Sequence, residues 1–331
     1  MDEIIVSVVM PVYNESKYIN QCILSLLNQD YPQRNMEWIF VDGNSTDNTV
    51  EIIKKYKNQF PNLIKVLNNP HKIVPYAMNI GIVSSRGKYA KYAPDYISMC
   101  VYHLVNSDAD NVGGIVETKS KNFVGNCIAK MLSSKFGVGN STFRTNGKSG
   151  YVDTVPFGAF RREVFSRYGG YDTRLIRNQD NELNYRIRKN GGKIYLSNDI
   201  HLSYYCRDSI KGISNMAKKN GMWNIITMKL CPGAMGARHF IPLMFILSII
   251  GLGFWGIVFK WFWWILVVEL CLYFILDVYF SIKHAENINE IFLLILLFPI
   301  FHCSYGVGSL KGIVKALSKE YHDVIYVAPK I

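Results

Sequence analysis

The chain lacks the marks of several common functional classes. Its seven cysteines, Cys22, Cys100, Cys127, Cys206, Cys231, Cys271 and Cys303, are scattered, and no pair has metal-ligand spacing. That excludes a zinc-finger module and predicts reduced thiols rather than a disulfide framework. No G-x-G-x-x-G follows the first apolar run, which argues against a dinucleotide-dependent dehydrogenase. No RNA-recognition signature or basic–aromatic stripe is present, so no nucleic-acid partner is expected. No internal repeat or low-complexity tract occurs. The first residues, MDEIIVSVVMPVYNE, begin acidic and run into an apolar segment, which predicts no signal peptide. Acidic residues are few, 25 against 37 lysines and arginines, and the net charge is +12. With nucleic acid set aside, that charge fits an anionic membrane surface or phosphorylated substrates.

Apolar residues are plentiful, 49% of the 331-residue chain, but unevenly placed. Up to about Arg238 apolar and polar residues alternate as in a water-soluble domain. Beyond it, residues 240–259 and 261–280 form two apolar runs, each of the ~20 residues a membrane crossing requires. Lys260 lies between them, so a tight hairpin is expected. Residues 291–308 are a third candidate, interrupted by Pro299 and His302. Trp261, Trp263 and Trp264 suit a membrane interface. Glu269 and Asp277 are costly in lipid and should face protein or the interface. Residues 207–238 are basic, and residues 207–230 carry an apolar stripe of Ile210, Ile213, Met216 and Ala217, which predicts helices lying on the membrane. These basic residues, with Lys311, Lys315 and Lys319, favour the cytoplasmic side. The expected organisation is an α/β domain over 1–206, amphipathic basic interfacial helices over 207–238, two or three transmembrane helices over 239–310 and a tail over 311–331. The protein is expected to be a multi-pass cell-membrane protein with its first domain on the cytoplasmic face and membrane lipids as partners.

In the first domain, residues 4–11, 38–41 and 64–67 read as buried strands. Helices are expected after Ser16, which can cap a helix bearing Ile19, Ile23, Leu26 and Leu27, and over 49–57 and 74–84. Strands alternating with helices imply a mostly parallel sheet. Further strands are expected over 152–157 and 193–197, and a helix over 122–135. Residues 136–151, rich in Gly, Ser, Asn and Thr, read as a mobile loop or acceptor flap.

In such sheets ligands sit outside the carboxyl ends of the strands. Tyr13, Asn14 and Glu15, and the turn from Asp42 to Asp47, fall there. An ordinary polar turn accounts for Gly43 and Asn44 equally well. Asn178-Gln179-Asp180-Asn181-Glu182 opens another expected helix. Acids in a first turn complement the helix dipole. Alternatively, Asp180 points into a cleft and takes a proton from a hydroxyl as general base. The residues alone leave both readings open.

Taken together, four segments resemble the family-two glycosyltransferases of GT-A fold. They are Pro11-Val12-Tyr13-Asn14-Glu15, the stretch from Val41 to Thr49, Ala77-Met78-Asn79-Ile80-Gly81-Ile82, and residues 158–188. The nearest subgroup is the membrane-attached enzymes of exopolysaccharide and capsule assembly, such as the succinoglycan-type glucosyltransferases. Each motif alone is weak; four in the right order are specific. The resemblance implies a Rossmann-like sheet binding a nucleoside-diphosphate sugar, a UDP-sugar in the first instance. It implies donor contacts from Pro11, Tyr13, Asn14, Glu15, Asp42, Ser45, Asp47, Asn79 and Gly81, with Asp42 on the base. It makes Asp180 the base of an inverting displacement, with Gly158, Arg161, Glu182 and Arg186 on the acceptor side. The implied acceptor is a polyprenyl-diphosphate-linked saccharide.

The sequence departs from the family in one place. A strand ending in an Asp-x-Asp motif, which holds Mg²⁺ or Mn²⁺ on the donor diphosphate, is expected after the Asn79 helix. Here only Tyr89-Ala90-Lys91-Tyr92-Ala93 separates Gly87-Lys88 from Pro94-Asp95-Tyr96, and the strand is expected to be missing. Asp108-Ala109-Asp110 offers a substitute metal pair; a solvated turn is its plainer reading. The resemblance also allows His201 as a metal ligand; as a lone histidine with no second ligand residue at matching spacing, it reads as structural. The alternative to an enzyme is a degenerate, non-catalytic relative acting as a partner in a polysaccharide assembly complex.

Overall fold

The computed structural model describes residues 5–86, 96–145 and 147–318. Two compact units emerge. Among the described residues, the first takes those up to Ile115 together with Lys148–Leu202, and the second takes those of 116–147 and of 203–318.

The first unit opens with three parallel strands, β1 (Val6–Val12), β2 (Met36–Asp42) and β3 (Ile64–Asn68), in the order β1-β2-β3. β2 is buried along its whole length. That is why its apolar run is nearly continuous, as expected of a central strand covered on both faces. Val8, Met10, Trp38 and Phe40 form the centre of this core. Burying such a side chain contributes roughly 1.5–3 kcal/mol. Glu37 interrupts the run but is matched: its carboxylate accepts from Ser7 Oγ at 2.6 Å and pairs with Lys65 Nζ at 2.6 Å. The connections are α1 (Ile19–Leu27) and α2 (Thr49–Gln59), and α3 (Val74–Ser84) follows β3. α3 packs on β1 closely. A Cβ at Gly81 would come within 2.2 Å of a Val9 methyl, so only glycine fits.

α4 (Tyr96–Asn106) leads to β4 (Asn111–Lys119). The second sheet has the order β5-β7-β4-β6, with β5 (Gly150–Tyr151), β6 (Ala159–Phe160) and β7 (Ile194–Tyr205). β4 with β6 and β5 with β7 are antiparallel, whereas β1, β2 and β3 pair in parallel. The strand expected over 152–157 is not formed. Those residues are bends and turns between β5 and β6, because Thr154 and Val155 turn their polar groups to Asn184 instead of to a neighbouring strand. Conversely, β7 is longer than expected and carries the exposed His201 along with it. α7 (Arg162–Tyr168) and α8 (Gln179–Lys189) complete the unit.

The second unit contains α5 (Phe123–Ser133), the short α6 (Lys135–Val138), α9 (Ile210–Leu230), a 3₁₀ turn (Ala237–Phe240), α10 (Ile241–Val258), α11 (Trp261–His284) and α12 (Ile288–Ala316). Three stretches are long and apolar enough to cross a membrane: Ala237–Val258, Trp261–His284 and Ile288–Ala316. Only 11% and 17% of the first two apolar windows is buried against protein, but 44% of the third is, so α12 is the inner helix. Asp277 is buried and accepts from Ser281 at 3.2 Å; Glu269 accepts from Ser248 at 2.5 Å. Both acids meet protein hydroxyls, as their cost in lipid requires.

α9 differs from the expected surface helix. Its stripe residues Ile213 and Ala217 are buried in one cluster with Leu294, Leu297 and Phe298 of α12. Glycines set this contact. A Cβ at Gly308 would lie 2.1 Å from Lys218 O, and one at Gly221 would lie 2.1 Å from Tyr305 O. Small residues let helix backbones approach and hydroxyls pair across; Ser214 and Ser304 do so at 2.7 Å.

Candidate active site

The loops after β1 and β2 are fastened to each other at the carboxyl ends of their strands. Asn14 N donates to Ser45 Oγ (2.9 Å) and Thr46 N donates to Asn14 Oδ1 (2.8 Å). Glu15 N donates to Thr49 Oγ1 (2.7 Å), and Ser16 N to Asp47 Oδ2 (3.1 Å). Asp47 also accepts from Thr49 Oγ1 (2.5 Å), and the Thr49 and Ser16 donors hold its carboxyl far below the usual range. Asp47 is thus a clamp between the two loops. Asp42 is nearly buried and accepts from Ser45 N (3.1 Å) and Ser45 Oγ (2.6 Å). Tyr13, in the loop after β1, is 46% exposed. Pro11, within β1, pairs with Val41 and sets the exit of the strand.

Left-handed backbone gathers at the same place. Asn14 (φ 54°), Asn44 (φ 61°) and Lys72 (φ 60°) follow β1, β2 and β3. Asparagine tolerates this region; lysine does so at a cost of order 1–3 kcal/mol, and such strain concentrates at ligand sites. Lys72 escaped the sequence reading. Its Cα lies 3.5 Å from where a Gly43 Cβ would stand, while the preceding His71 stacks on Tyr76 at 3.9 Å. No spacing rule marks these residues; only the meeting of the β2 and β3 loops does.

Asn79 and Gly81 stand apart from these loops. Asn79 Nδ2 donates to Tyr171 O (2.8 Å) and its Oδ1 accepts from Tyr171 N (2.7 Å). With its amide committed on both sides and Gly81 pressed on Val9, these two residues join α3 to the 171 turn and to β1. They are structural neighbours of the site instead of donor contacts.

At α8 the structure separates three carboxylates that the sequence sets close together. Asp172 is buried and accepts from Arg174 Nη2 (2.6 Å) and Nε (3.0 Å). Glu182 is buried and pairs with Arg186 at 2.6 and 2.9 Å. Arg186 also donates to Gly170 O (2.8 Å) and to Tyr168 O. This pair therefore ties α8 to the 168–170 turn, and its guanidinium is spent on protein instead of facing an acceptor. Asp180 is different. Among the described residues it has no cation partner; Oδ1 accepts from Asn181 N at 2.9 Å, within its own helix start. Burial pushes its carboxyl above the ordinary value. Desolvation likewise raises the Tyr171 phenol, with the Asp180 charge adding to it. Asn178, at the N-cap, is left-handed (φ 62°) and starts the helix. Below Asp180 a polar chain fixes α8. Asn111 Nδ2 donates to Asn184 Oδ1 (2.7 Å), Asn184 Nδ2 to Thr154 Oγ1 (2.8 Å), and Thr154 Oγ1 to Asn181 Oδ1 (3.1 Å). Asn184 and Asn111 carried no signal in the sequence, because a buried asparagine is recognisable only by its partners.

The remaining acceptor-side residues are also engaged. A Cβ at Gly158 would lie 2.1 Å from Asn111 Oδ1. Arg161 donates to Ala109 O (2.9 Å), Ser107 O (2.9 Å) and Leu104 O. It holds the α4–β4 turn together.

Asp108 and Asp110 do not make a metal pair. Asp108 accepts from Lys193 Nζ and Tyr151 Oη, with the lysine, then the tyrosine, holding its carboxyl below the usual range. Asp110 accepts from Lys193 N at 3.0 Å. Their oxygens fasten β7 to β4. Among the described residues no group of three His, Cys, Asp or Glu side chains could hold a metal ion, so these residues do not fit the divalent ion that the resemblance implies. The expected loss of the metal strand falls on residues 87–95, outside the described residues.

The likeness to known proteins follows the same segments. The model of glycosyl transferase family 2 matches residues 7–169. A Methanococcus voltae protein, dolichyl N-acetyl-alpha-D-glucosaminyl phosphate 3-beta-D-2,3-diacetamido-2,3-dideoxy-beta-D-glucuronosyltransferase, is 30% identical over 95% of this chain and 98% of its own. The succinoglycan biosynthesis protein ExoA of Rhizobium meliloti is 25% identical over 75% of this chain and 82% of its own. Among solved structures, the mannosyltransferase PcManGT from Pyrobaculum calidifontis, in complex with GDP-Man and Mn²⁺, superposes with a TM-score of 0.58. It is 15% identical, over 94% of this chain and 87% of its own. TarS 1-349 of S. aureus with UDP-GlcNAc gives a TM-score of 0.53 at 15% identity, over 94% and 92%. With loops joined at the ends of parallel strands, the family model matched over residues 7–169 and a relative aligned along nearly its whole length, the chain belongs to glycosyltransferase family 2 and is a glycosyltransferase of GT-A fold.

Proposed function

We propose that the protein transfers a sugar, with inversion, from a nucleoside-diphosphate donor to a lipid-linked saccharide during surface polysaccharide assembly. The observation that carries the reading is Asp180. It is the one acid of the trio Asp172, Asp180 and Glu182 without an arginine partner, and burial raises its proton affinity. A general base should combine these properties. In the proposed reaction Asp180 takes the proton of the acceptor hydroxyl. The hydroxyl oxygen then bonds to the anomeric carbon, on the face opposite the nucleoside diphosphate. The bond to the leaving oxygen breaks, and the diphosphate departs with the electron pair. Tyr13 and Asp42 receive the nucleoside, and the loop of Asn14, Glu15 and Ser45 supports it.

The names of two relatives support the acceptor and the pathway: one carries a dolichyl sugar phosphate, the other succinoglycan biosynthesis. The UDP-GlcNAc and GDP-Man in the neighbours support a nucleotide sugar, and the Mn²⁺ supports a divalent ion. When bound, such an ion would neutralise the leaving diphosphate; no described residue is assigned to it. The three long apolar helices fit a membrane-attached enzyme. The lysines and arginines around them favour the cytoplasmic face for the first unit.

The test is transfer of labelled sugar from a panel of nucleotide sugars to a membrane lipid extract, comparing the intact chain with Asp180→Asn. Label is expected in lipid only with Asp180 present. No transfer from any donor, by folded protein in membranes, would sink the catalytic reading and favour a non-catalytic partner of an assembly complex.

A further inference from the structure

The second unit holds an arginine whose charge no described carboxylate matches. Arg144 lies in the segment between α6 and β5. It is half-buried, and burial pushes its guanidinium below the ordinary value. Among the described residues no carboxylate pairs with it. Its Nη1 donates to Thr118 Oγ1 at 3.3 Å, and its carbon lies 5.3 Å from the Tyr204 ring centre and 5.6 Å from that of Phe143. Aromatic faces attract the charge but accept no strong hydrogen bond, and a guanidinium has five N–H donors in a fixed fork. Other half-buried arginines of this chain meet a carboxylate or several carbonyls, as Arg174, Arg186 and Arg161 do. A fork with donors to spare between two rings can pair bidentately with two oxygens of a phosphate.

The segment is also fastened to the apolar helices. Phe136 packs on Tyr273, Phe298 and His302, and its carbonyl lies 3.0 Å from His302 Nε2. Asn140 O accepts from Arg238, just before α10, at 3.4 Å. Arg144 is therefore carried on a loop anchored at the head of a helix fit to enter a membrane.

We propose that Arg144 binds a phosphate ester borne by a lipid, and that this lipid is the polyprenyl-linked acceptor. The assignment of the lipid rests on the function proposed above; the anion site rests on the second unit alone.

The test titrates polyprenyl phosphate into the full-length protein in phosphatidylcholine nanodiscs. Arg144→Gln is expected to weaken binding roughly tenfold to a hundredfold, the loss of charge-assisted hydrogen bonds. Arg144→Lys should fall between, since it keeps the charge and loses the fork. Binding of UDP should be unchanged in both. Unaltered affinity in Arg144→Gln overturns the proposal; if that variant does not fold, unaltered affinity in Arg144→Lys does so. Equal competition by phosphatidylglycerol or by inorganic phosphate overturns the acceptor assignment, because the site would then take any headgroup or free anion. If the intact protein binds no polyprenyl phosphate, the lipid-linked reading itself fails. If it binds but the variants bind equally, only the role of Arg144 fails.

Discussion

Asp108-Ala109-Asp110 and Asp180-Asn181-Glu182 are written alike: two acids one residue apart, each at the edge of a regular element. The fold treats them differently. At the start of β4 both acids are met, Asp108 by Lys193 and Tyr151 and Asp110 by the Lys193 amide. At the start of α8 only the second acid is met. Glu182 is held by Arg186, while Asp180 is left with the amides of its own helix start. A matched carboxylate contributes cohesion and resists protonation. An unmatched, desolvated one costs stability and holds its proton more readily. In the proposed reaction, what sets the base Asp180 apart from the other acids is the cation that its described neighbours do not supply.

The comparison is broken most sharply at Asp180. Asp180→Asn should reduce transfer by roughly a hundredfold to ten-thousandfold, the usual weight of a general base. It should leave donor binding intact and should not lower the melting temperature. The sign follows from linkage. An acid whose carboxyl is raised by folding binds its proton more tightly in the folded state, so its ionised form at neutral pH opposes folding. Removing the charge relieves that cost. A fall in melting temperature together with activity would make Asp180 a structural acid.

Glu182→Gln should do the reverse. Leaving the half-buried Arg186 without its carboxylate should destabilise by about 3 kcal/mol. Thermal unfolding of the first unit should move down, and activity should be lost only as folded protein is lost. A variant as stable as the parent would remove the contrast between the two acids.

The pH profile sharpens the same point. Because burial raises the Asp180 carboxyl, kcat/KM should climb with pH along an acid limb displaced above the ordinary carboxylate range. The limb should be absent from the residual rate of Asp180→Asn. The smallest effect is expected at the other pair. Asp108→Asn loses exposed contacts with Lys193 and Tyr151 and should change neither the melting temperature nor the transfer rate measurably. A strong loss of transfer in Asp108→Asn, reversed by added Mn²⁺, would restore the metal reading.

Much of the first unit is legible in its sequence. The runs that became β1, β2 and β3 stood out because strand burial leaves a local pattern, and α3 was bounded correctly at Val74–Ser84. The apolar runs of α10 and α11 were legible by length alone. The stretch over 152–157 misled because a short β-branched run was read as a strand, when Thr154 serves the Asn184 network. The amphipathic stripe of α9 was real, but which surface would cover it was not a local property. Nor was the company of α5, which the chain places well before the apolar helices but which packs with them. Lys130 of α5 meets Glu290 of α12 across 160 positions, at 2.7 Å.

By itself, then, the sequence determined the alternation of strands and helices, the order of the family segments, and two membrane-length helices with a candidate for a third. Periodicity and run length are set by neighbours within a few turns of chain. Only the tertiary structure decided which acid went without a cation, that Asn79 clamps a turn 92 positions away, that α12 covers α9, and that Arg144 keeps an open fork. Those outcomes depend on pairing between groups distant along the chain. A charge's protonation and reactivity are governed by partners within a few ångströms, whatever their separation in sequence.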